Sequence, residues 1–306
     1  MTNKTSETFH GITFPGHLHT QDSLHYATHF KFQDTDTLIV TYPKSGTTWM
    51  QEIVTVMSCK GDAVRAQTQP NWNRAPWLEQ YYCPDVLNAS QENRILTTHL
   101  PYNLLAAVIY VARNPKDVAV SYYYFHKMAK FLPESGTFSE FLSAFLEGTV
   151  HYGSWFDHVK GWTNNARNIH NFLYVTYEEM SRTLRASLER VSEFLQCPLV
   201  EEELTSTLKS CSFSSMKKNC MVNYSLIPQE IMDHRKSKFM RKGKIGDWVN
   251  TFSEEQSCTF DAIYTSRMAD SSLTFVWCNP EQEPMLKSRR DPDHHQAHHI
   301  LEQTLA

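Results

Sequence analysis

The chain has no C-x-x-C pair among its seven cysteines, no excess of positive charge and no apolar stretch of membrane length. Seven scattered thiols, an odd number, argue against a disulfide framework and read as the reduced cysteines of a cytoplasmic protein. A formal net charge of −4 excludes a general nucleic-acid binder, so any basic site must be local. The longest apolar stretch, Leu104 to Ala112, is about half of a membrane span. The first residues carry no apolar signal region, so neither a membrane anchor nor a leader is expected.

What remains is a soluble composition: 41% hydrophobic and 20% charged over 306 residues, enough for a sizeable core. An aromatic fraction of 12% suits a pocket for flat or greasy ligands and equally suits a large core. There is no internal repeat. Residues 1–36 are polar and His-rich and read as an arm over the body. Strands are predicted at Thr37–Val40, Arg94–Thr98, Val108–Ala112 and Asn171–Thr176. Helices follow at Pro115 to about Lys130 and Glu178 to about Leu195, with Pro115 well placed as a first helical residue. Alternating strands and helices without hairpin signals predict an α/β fold, a doubly wound and mostly parallel sheet flanked by helices. One domain over 1–280 is expected, with loops at 61–92 and 225–246 over the mouth of the site and a mobile tail at 281–306. His294, His295, His298 and His299 in that tail have helical metal-ligand spacing, but without a second ligand cluster they read as solvated.

The chemistry is concentrated in Thr41-Tyr42-Pro43-Lys44-Ser45-Gly46-Thr47-Thr48-Trp49. An apolar strand precedes it. After it, Trp49, Ile53 and Met57, with Met50 and Val54 beside them, mark one face of a helix that Thr47 or Thr48 can cap. A tight strand-to-helix turn aims backbone N–H groups and the helix dipole at one point, which suits an anion. Lys44 adds a cation, and Ser45, Thr47 and Thr48 add hydroxyls. The string is not the nucleotide triphosphate loop, because Lys44 precedes Gly46 and no second glycine lies nearby. Taken alone it could be an ordinary turn with an exposed lysine.

Two more basic segments follow. Arg113 ends a strand in Arg113-Asn114-Pro115-Lys116-Asp117-Val118-Ala119-Val120-Ser121, where it can fork onto a phosphate while the Ser121 hydroxyl closes from the side. It could equally be a surface arginine pairing with Asp117. Arg241-Lys242-Gly243-Lys244-Ile245-Gly246-Asp247-Trp248 can grip a phosphate through side chains and amides together, or be a basic surface loop.

The three segments together, from about His17 to Trp277, resemble the cytosolic sulfotransferase family and within it the hydroxysteroid or alcohol branch. Y-P-K-S-G-T-T-W resembles its 5′-phosphosulfate loop. R-N-P-x-D-x-x-V-S and R-K-G-x-x-G-D-W resemble its 3′-phosphate site. The resemblance implies the P-loop NTPase-like sulfotransferase fold and 3′-phosphoadenosine 5′-phosphosulfate as donor, leaving as adenosine 3′,5′-bisphosphate, with no metal required. It implies donor contacts from Lys44, Ser45, Gly46, Thr47, Thr48, Trp49, Arg113, Ser121, Tyr177, Ser212, Phe213, Met216, Arg241, Lys242 and Gly243. Within these, Trp49, Phe213 and Tyr177 would meet the adenine, although each could instead be core.

His99, at a strand end in R-I-L-T-T-H-L-P, resembles the family's catalytic base, with Lys44 as electrostatic catalyst. Many members carry lysine where this chain has Thr97, which puts help from a second cation in doubt. Trp72, Trp77 and Tyr224 are named for the acceptor pocket. The implied function is sulfuryl transfer to a hydroxyl of a small lipophilic acceptor: a steroid, another alcohol or a phenol. An amine acceptor is the alternative on the same chemistry, and a catalytically silent nucleotide-binding protein the alternative from another class. A nucleotide kinase is disfavoured, since neither a triphosphate loop nor a magnesium-binding acid can be identified. The partners implied are the acceptor alone, with no nucleic acid and no membrane. Family members commonly dimerise through K-x-x-x-T-V-x-x-x-E after G-D-W. This chain has Val249, Ser253, Glu254 and Cys258 at those fixed positions, so a monomer or a weak homodimer is expected.

Overall fold

The computed structural model describes residues 5–89, 94–102 and 107–279. The chain enters through an antiparallel hairpin, β1 (Ser6–Phe9) and β2 (Ile12–Pro15), followed by helix α1 (Gln21–Thr28). The hairpin corrects the expectation of none. Its turn residues His10 and Gly11 both have positive φ, 48° and 78°, the mirror-image turn that matches strand twist, but His-Gly is not among its usual signals. Phe9, Phe14, Leu24 and Ala27 are buried in the larger core, so this region is part of the body rather than an arm over it.

The central sheet is parallel, in the order β4-β3-β5-β6: β3 (Thr37–Thr41), β4 (Ile95–Thr98), β5 (Ala107–Ala112) and β6 (Phe172–Thr176). Both faces are covered, so alternate residues enter different cores. Leu38 and Val40 point into one, with Tyr110 and Trp162; Ile39 points into the other, with Met50, Ile53 and Met57. That is why the strands read as continuous apolar runs. β3 pairs with β4 on one side and β5 on the other, so the chain switches direction across the sheet at β3. In such sheets the crevice beyond the carboxyl ends at the switch is the natural place for a ligand.

Helix α2 (Thr47–Ser58) leaves β3 through a turn whose N-cap is Gly46 at φ 112°, with no side-chain cap. Thr47 and Thr48 are inside the helix instead, a correction with a geometric reason: the turn needs a left-handed residue at the cap, and glycine supplies it. Three short helices, α3 (Val64–Thr68), α4 (Asn71–Arg74) and α5 (Cys83–Asn88), interrupt the stretch expected to be loop at 61–92. Helix α6 (Pro115–Met128) starts at Pro115, with the Asn114 side chain accepting from the Asp117 amide at 2.8 Å. α7 (Phe138–Glu147) and α8 (Trp155–Asn164) precede β6. The single helix expected after β6 is two, α9 (Tyr177–Arg182) and α10 (Leu184–Phe194), because Thr183 leaves helical geometry at φ −139° and ψ 61°. α11 (Glu201–Ser210) and α12 (Phe213–Lys218) follow, and α13 (Glu254–Arg267) comes last. No helix among the described residues is long and apolar enough to cross a membrane. The expected tail with its four histidines lies outside the described residues.

Among the described residues five histidines are buried: His19, His99, His126, His151 and His158. Burial pushes all five down, to about 3 for His19 and His158 and about 4 for the others. Between pH 6.5 and about 4, the unfolded chain binds protons that the folded one refuses, costing about 1.4 kcal/mol per pH unit for each such group. Glu79 and Glu178, pushed up to about 7 by burial, and Glu52 and Asp117, also raised by burial, act in the opposite sense, but these four carboxyls are outnumbered by the five rings. The expected outcome is a Tm that rises steadily between pH 4.5 and 6.5 in scanning calorimetry. A flat profile there would contradict the neutral burial of these rings.

Candidate active site

Each strand of the parallel sheet hands one chemical group to the same crevice. β3 leads to Lys44, β4 to His99, β5 to Arg113 and β6 to Tyr177, and all four line one cavity of about 540 Å³. The turn after β3 is held from within. The Thr41 hydroxyl lies 2.6 Å from the Thr47 hydroxyl and 3.1 Å from His99 Nδ1, and the Thr41 carbonyl lies 2.8 Å from the same nitrogen. A carbonyl can only accept, so Nδ1 carries the proton and Nε2 keeps its lone pair. The backbone of His99 is fixed separately, its amide donating to Glu79 Oε1 at 2.8 Å. Burial, with a further contribution from the Lys44 charge, outweighs the Thr41 carbonyl and holds His99 down at about 4, so it is neutral at pH 7.

Lys44, Arg113, Arg241 and Lys242 line the same cavity as this neutral imidazole. Arg113 donates to the carbonyls of Lys44 (3.2 Å) and Lys244 (3.3 Å) and lies 4.0 Å over the Tyr177 ring. Arg241 and Lys242 donate to Asp247 at 2.7 and 2.6 Å. Burial raises Asp247, but these two partners outweigh it and hold the carboxyl below its ordinary range. Asp117 accepts from the amides of Gly246 (2.8 Å) and Trp248 (3.0 Å), which fastens the 241–248 segment to the start of α6. Asp117 is therefore used on backbone rather than as an ion-pair partner of Arg113. Lys44 is pushed down to about 7, first by burial and then by Arg113 and Arg241.

One end of the cavity is shaped for a flat group. Trp49 opens towards it while its indole N–H donates to the Cys211 carbonyl at 2.8 Å. Phe213 and Met216 come from α12, whose N-terminus is capped by the Ser212 hydroxyl, 3.2 Å from the Ser215 amide. Ser212 does not reach the cavity. Gly243 lies under the Phe213 ring at φ 64°, and a Cβ there would approach that ring to 2.4 Å. The other end is lined by Trp72, Trp77 and Tyr224, joined by Tyr152, Phe131, Ile231 and Met232. Trp77 and Tyr152 lie 6.2 and 5.3 Å from the His99 ring.

Of the residues singled out from the sequence, Lys44, Gly46, Thr47, Thr48, Trp49, His99, Arg113, Ser121, Tyr177, Phe213, Met216, Arg241, Lys242 and Gly243 line the cavity. Ser45 is buried beneath the turn and its hydroxyl has no partner; the Nε of Arg113 is also buried without one. Such orphaned polar atoms beside clustered cations fit an anionic ligand with several oxygens. Thr97 faces away into the core, where it binds Gln51 and the Ala75 carbonyl. The sequence reading gave no separate role to Thr41, although it opens the turn string, and missed Glu79, Phe125 and Phe239. Only Phe125 had a signal, standing four residues after Ser121 on the same helical face. No cluster of three or more His, Cys, Asp or Glu among the described residues is placed to hold a metal.

The sulfotransferase domain family matches residues 34–272. Mouse sulfotransferase 2B1 is 44% identical over 284 residues, 90% of this chain and 83% of its own length. Rat sulfotransferase 1A1 is 45% identical over 254 residues, 78% of this chain and 87% of its own length. Among solved structures, mouse SULT7A1 complexed with PAP superimposes with a TM-score of 0.72 at 30% identity, covering 88% of this chain and 95% of that one.

The contact between Gly243 and Phe213 yields a prediction. Alanine at position 243 combines a left-handed backbone, costing roughly 1–2 kcal/mol, with a clash that must move the ring or the loop. Gly243→Ala is expected to weaken binding of adenosine 3′,5′-bisphosphate more than tenfold by titration calorimetry while the protein remains folded. Unchanged affinity would mean that the ring and the 241–244 backbone play no part in holding the nucleotide.

Proposed function

The chain belongs to the sulfotransferase family, and from that premise we propose that its cavity binds 3′-phosphoadenosine 5′-phosphosulfate and passes the sulfuryl group to a hydroxyl of a small lipophilic acceptor. The observation that carries this reading is the convergence of Lys44, Arg113 and Arg241 with a neutral, correctly tautomerised His99 on one cavity. The donor, when bound, supplies the activated sulfuryl group. Arg113, Arg241, Lys242 and Ser121 would hold its 3′-phosphate. The turn from Lys44 to Thr48 would hold its 5′ end, and Trp49, Phe213 and Tyr177 would hold its adenine. PAP in the SULT7A1 structure supports this choice of nucleotide.

His99 Nε2 is the group that takes the acceptor proton, since Nδ1 is committed to the Thr41 carbonyl. Its low proton affinity comes first from burial and then from the Lys44 charge, so an anion beside Lys44 makes His99 a stronger base. Lys44, with its ammonium at the reacting end, stabilises negative charge that develops there. The ring-lined part around Trp72, Trp77, Tyr152 and Tyr224 suits the lipophilic body of a steroid, another alcohol or a phenol. Seven free thiols support a cytoplasmic setting.

His99→Ala is expected to lower turnover by about 10²–10⁴ with radiolabelled donor, while affinity for adenosine 3′,5′-bisphosphate stays within a few-fold of wild type. Near-normal turnover at saturating donor would remove His99 from the mechanism.

A monomer, or a dimer weaker than is usual in the family, belongs to the same proposal. Ser253 caps α13, Glu254 is exposed in its first turn and Cys258 is exposed one turn on, so no apolar strip lies along that segment. Two like charges meeting across a two-fold axis repel. Sedimentation equilibrium at low micromolar protein is expected to show mainly monomer. A tight dimer that dissociates on Glu254→Arg would place the interface there and refute this.

A further inference from the structure

Lys44 has a left-handed backbone, φ 68°, and its ammonium is met by ring faces. Nζ lies 3.9 Å from the centre of the Phe239 ring and 4.5 Å from that of Phe125. The two rings meet edge to face, 6.1 Å apart at 77°, and so form a corner. Phe125 stands one helical turn beyond Ser121, and Phe239 stands two residues before Arg241. The corner thus rests on the same two segments that carry the cations and hydroxyl assigned to the 3′-phosphate. Phe239 also lies 4.1 Å from the Tyr224 ring, and Tyr224 lies 5.4 Å from Trp72, a continuous path into the acceptor half.

We propose that Phe125 and Phe239 are positioning residues for Lys44: their faces hold its ammonium at the reacting end of the cavity, and Phe239 ties that position to the acceptor wall. The proposal deepens the function given above and rests on the role assigned there to Lys44. A carboxylate in the same place would cancel the charge and repel an anionic donor. A ring quadrupole attracts the cation without neutralising it, and weakly enough to be given up when a sulfonate arrives. The need for such a device follows from the side chain itself, a compact charge on a flexible four-carbon stem. With Arg113 and Arg241 repelling it, an unrestrained Lys44 would swing away from the site.

The test needs a readout that is independent of turnover. In protein labelled with ¹³C-lysine, the ε-methylene signal of Lys44, assigned by its loss in Lys44→Arg, is expected well upfield of the other lysines because it lies over two rings. Phe239→Leu and Phe125→Leu should each move it towards the ordinary lysine position, and Phe→Tyr at either site should keep it. In parallel, kcat/KM for the donor is expected to fall roughly two- to thirtyfold in each leucine variant, with recovery in the tyrosine variants. The factor should be the same for two acceptors of different shape. A wild-type Lys44 signal at the ordinary position would overturn the proposal whether or not the variants fold. So would leucine variants with wild-type kcat/KM, or a loss that changes with the acceptor, which would make Phe239 only a wall. Absence of transfer to every acceptor would instead defeat the functional reading, and the spectrum would still decide the ring contacts.

Discussion

Four cations brought into one crevice repel one another, and most of the site's architecture answers that repulsion. In low dielectric such charges are costly unless something opposite stands beside them. The chain treats each one differently. Arg241 and Lys242 share Asp247, Arg113 has two carbonyls and the Tyr177 face, and Lys44 has two phenyl faces. Among the described residues neither Lys44 nor Arg113 has a carboxylate partner within ion-pair distance. The turn and the end of β5 therefore carry, among the described residues, cations that no ion pair holds.

The same logic keeps His99 neutral. His99 is buried next to a cation, and both circumstances disfavour a second positive charge. Thr41 then decides which nitrogen is free: its carbonyl takes the Nδ1 proton while its hydroxyl reaches Thr47 at the start of α2. One residue at the end of β3 thus fixes both the turn that follows it and the tautomer of His99. The parallel register of β3 and β4, with Val40 opposite Thr98, is what brings these residues from distant parts of the chain into contact.

Much of this could be read in the sequence because the relevant physics is local. The four strands of the central sheet, the turn at Gly46, the start of α6 at Pro115 and the three basic segments each depend on residue types at short spacing. Where local signals were weak, the reading was incomplete. His10-Gly11 makes a hairpin turn that its residue types do not advertise, Thr183 breaks a helix that its neighbours favour, and the buried side chains of Phe9 and Leu24 sit in a segment whose composition is polar.

The order of strands and hydrophobic patterning determined that Lys44, His99, Arg113 and Tyr177 would stand at strand ends, since a parallel sheet places all such ends on one side. Tertiary structure alone decided what surrounds them. Whether Asp117 would pair with Arg113 or grip the amides of Gly246 and Trp248 depended on how a segment 129 residues away packs against α6. That Ser212 caps a helix depended on the path of the chain into α12. Phe239 reaches Lys44 from nearly two hundred residues further along the chain. Such contacts are set by distances across a folded core, and no spacing along a sequence encodes them.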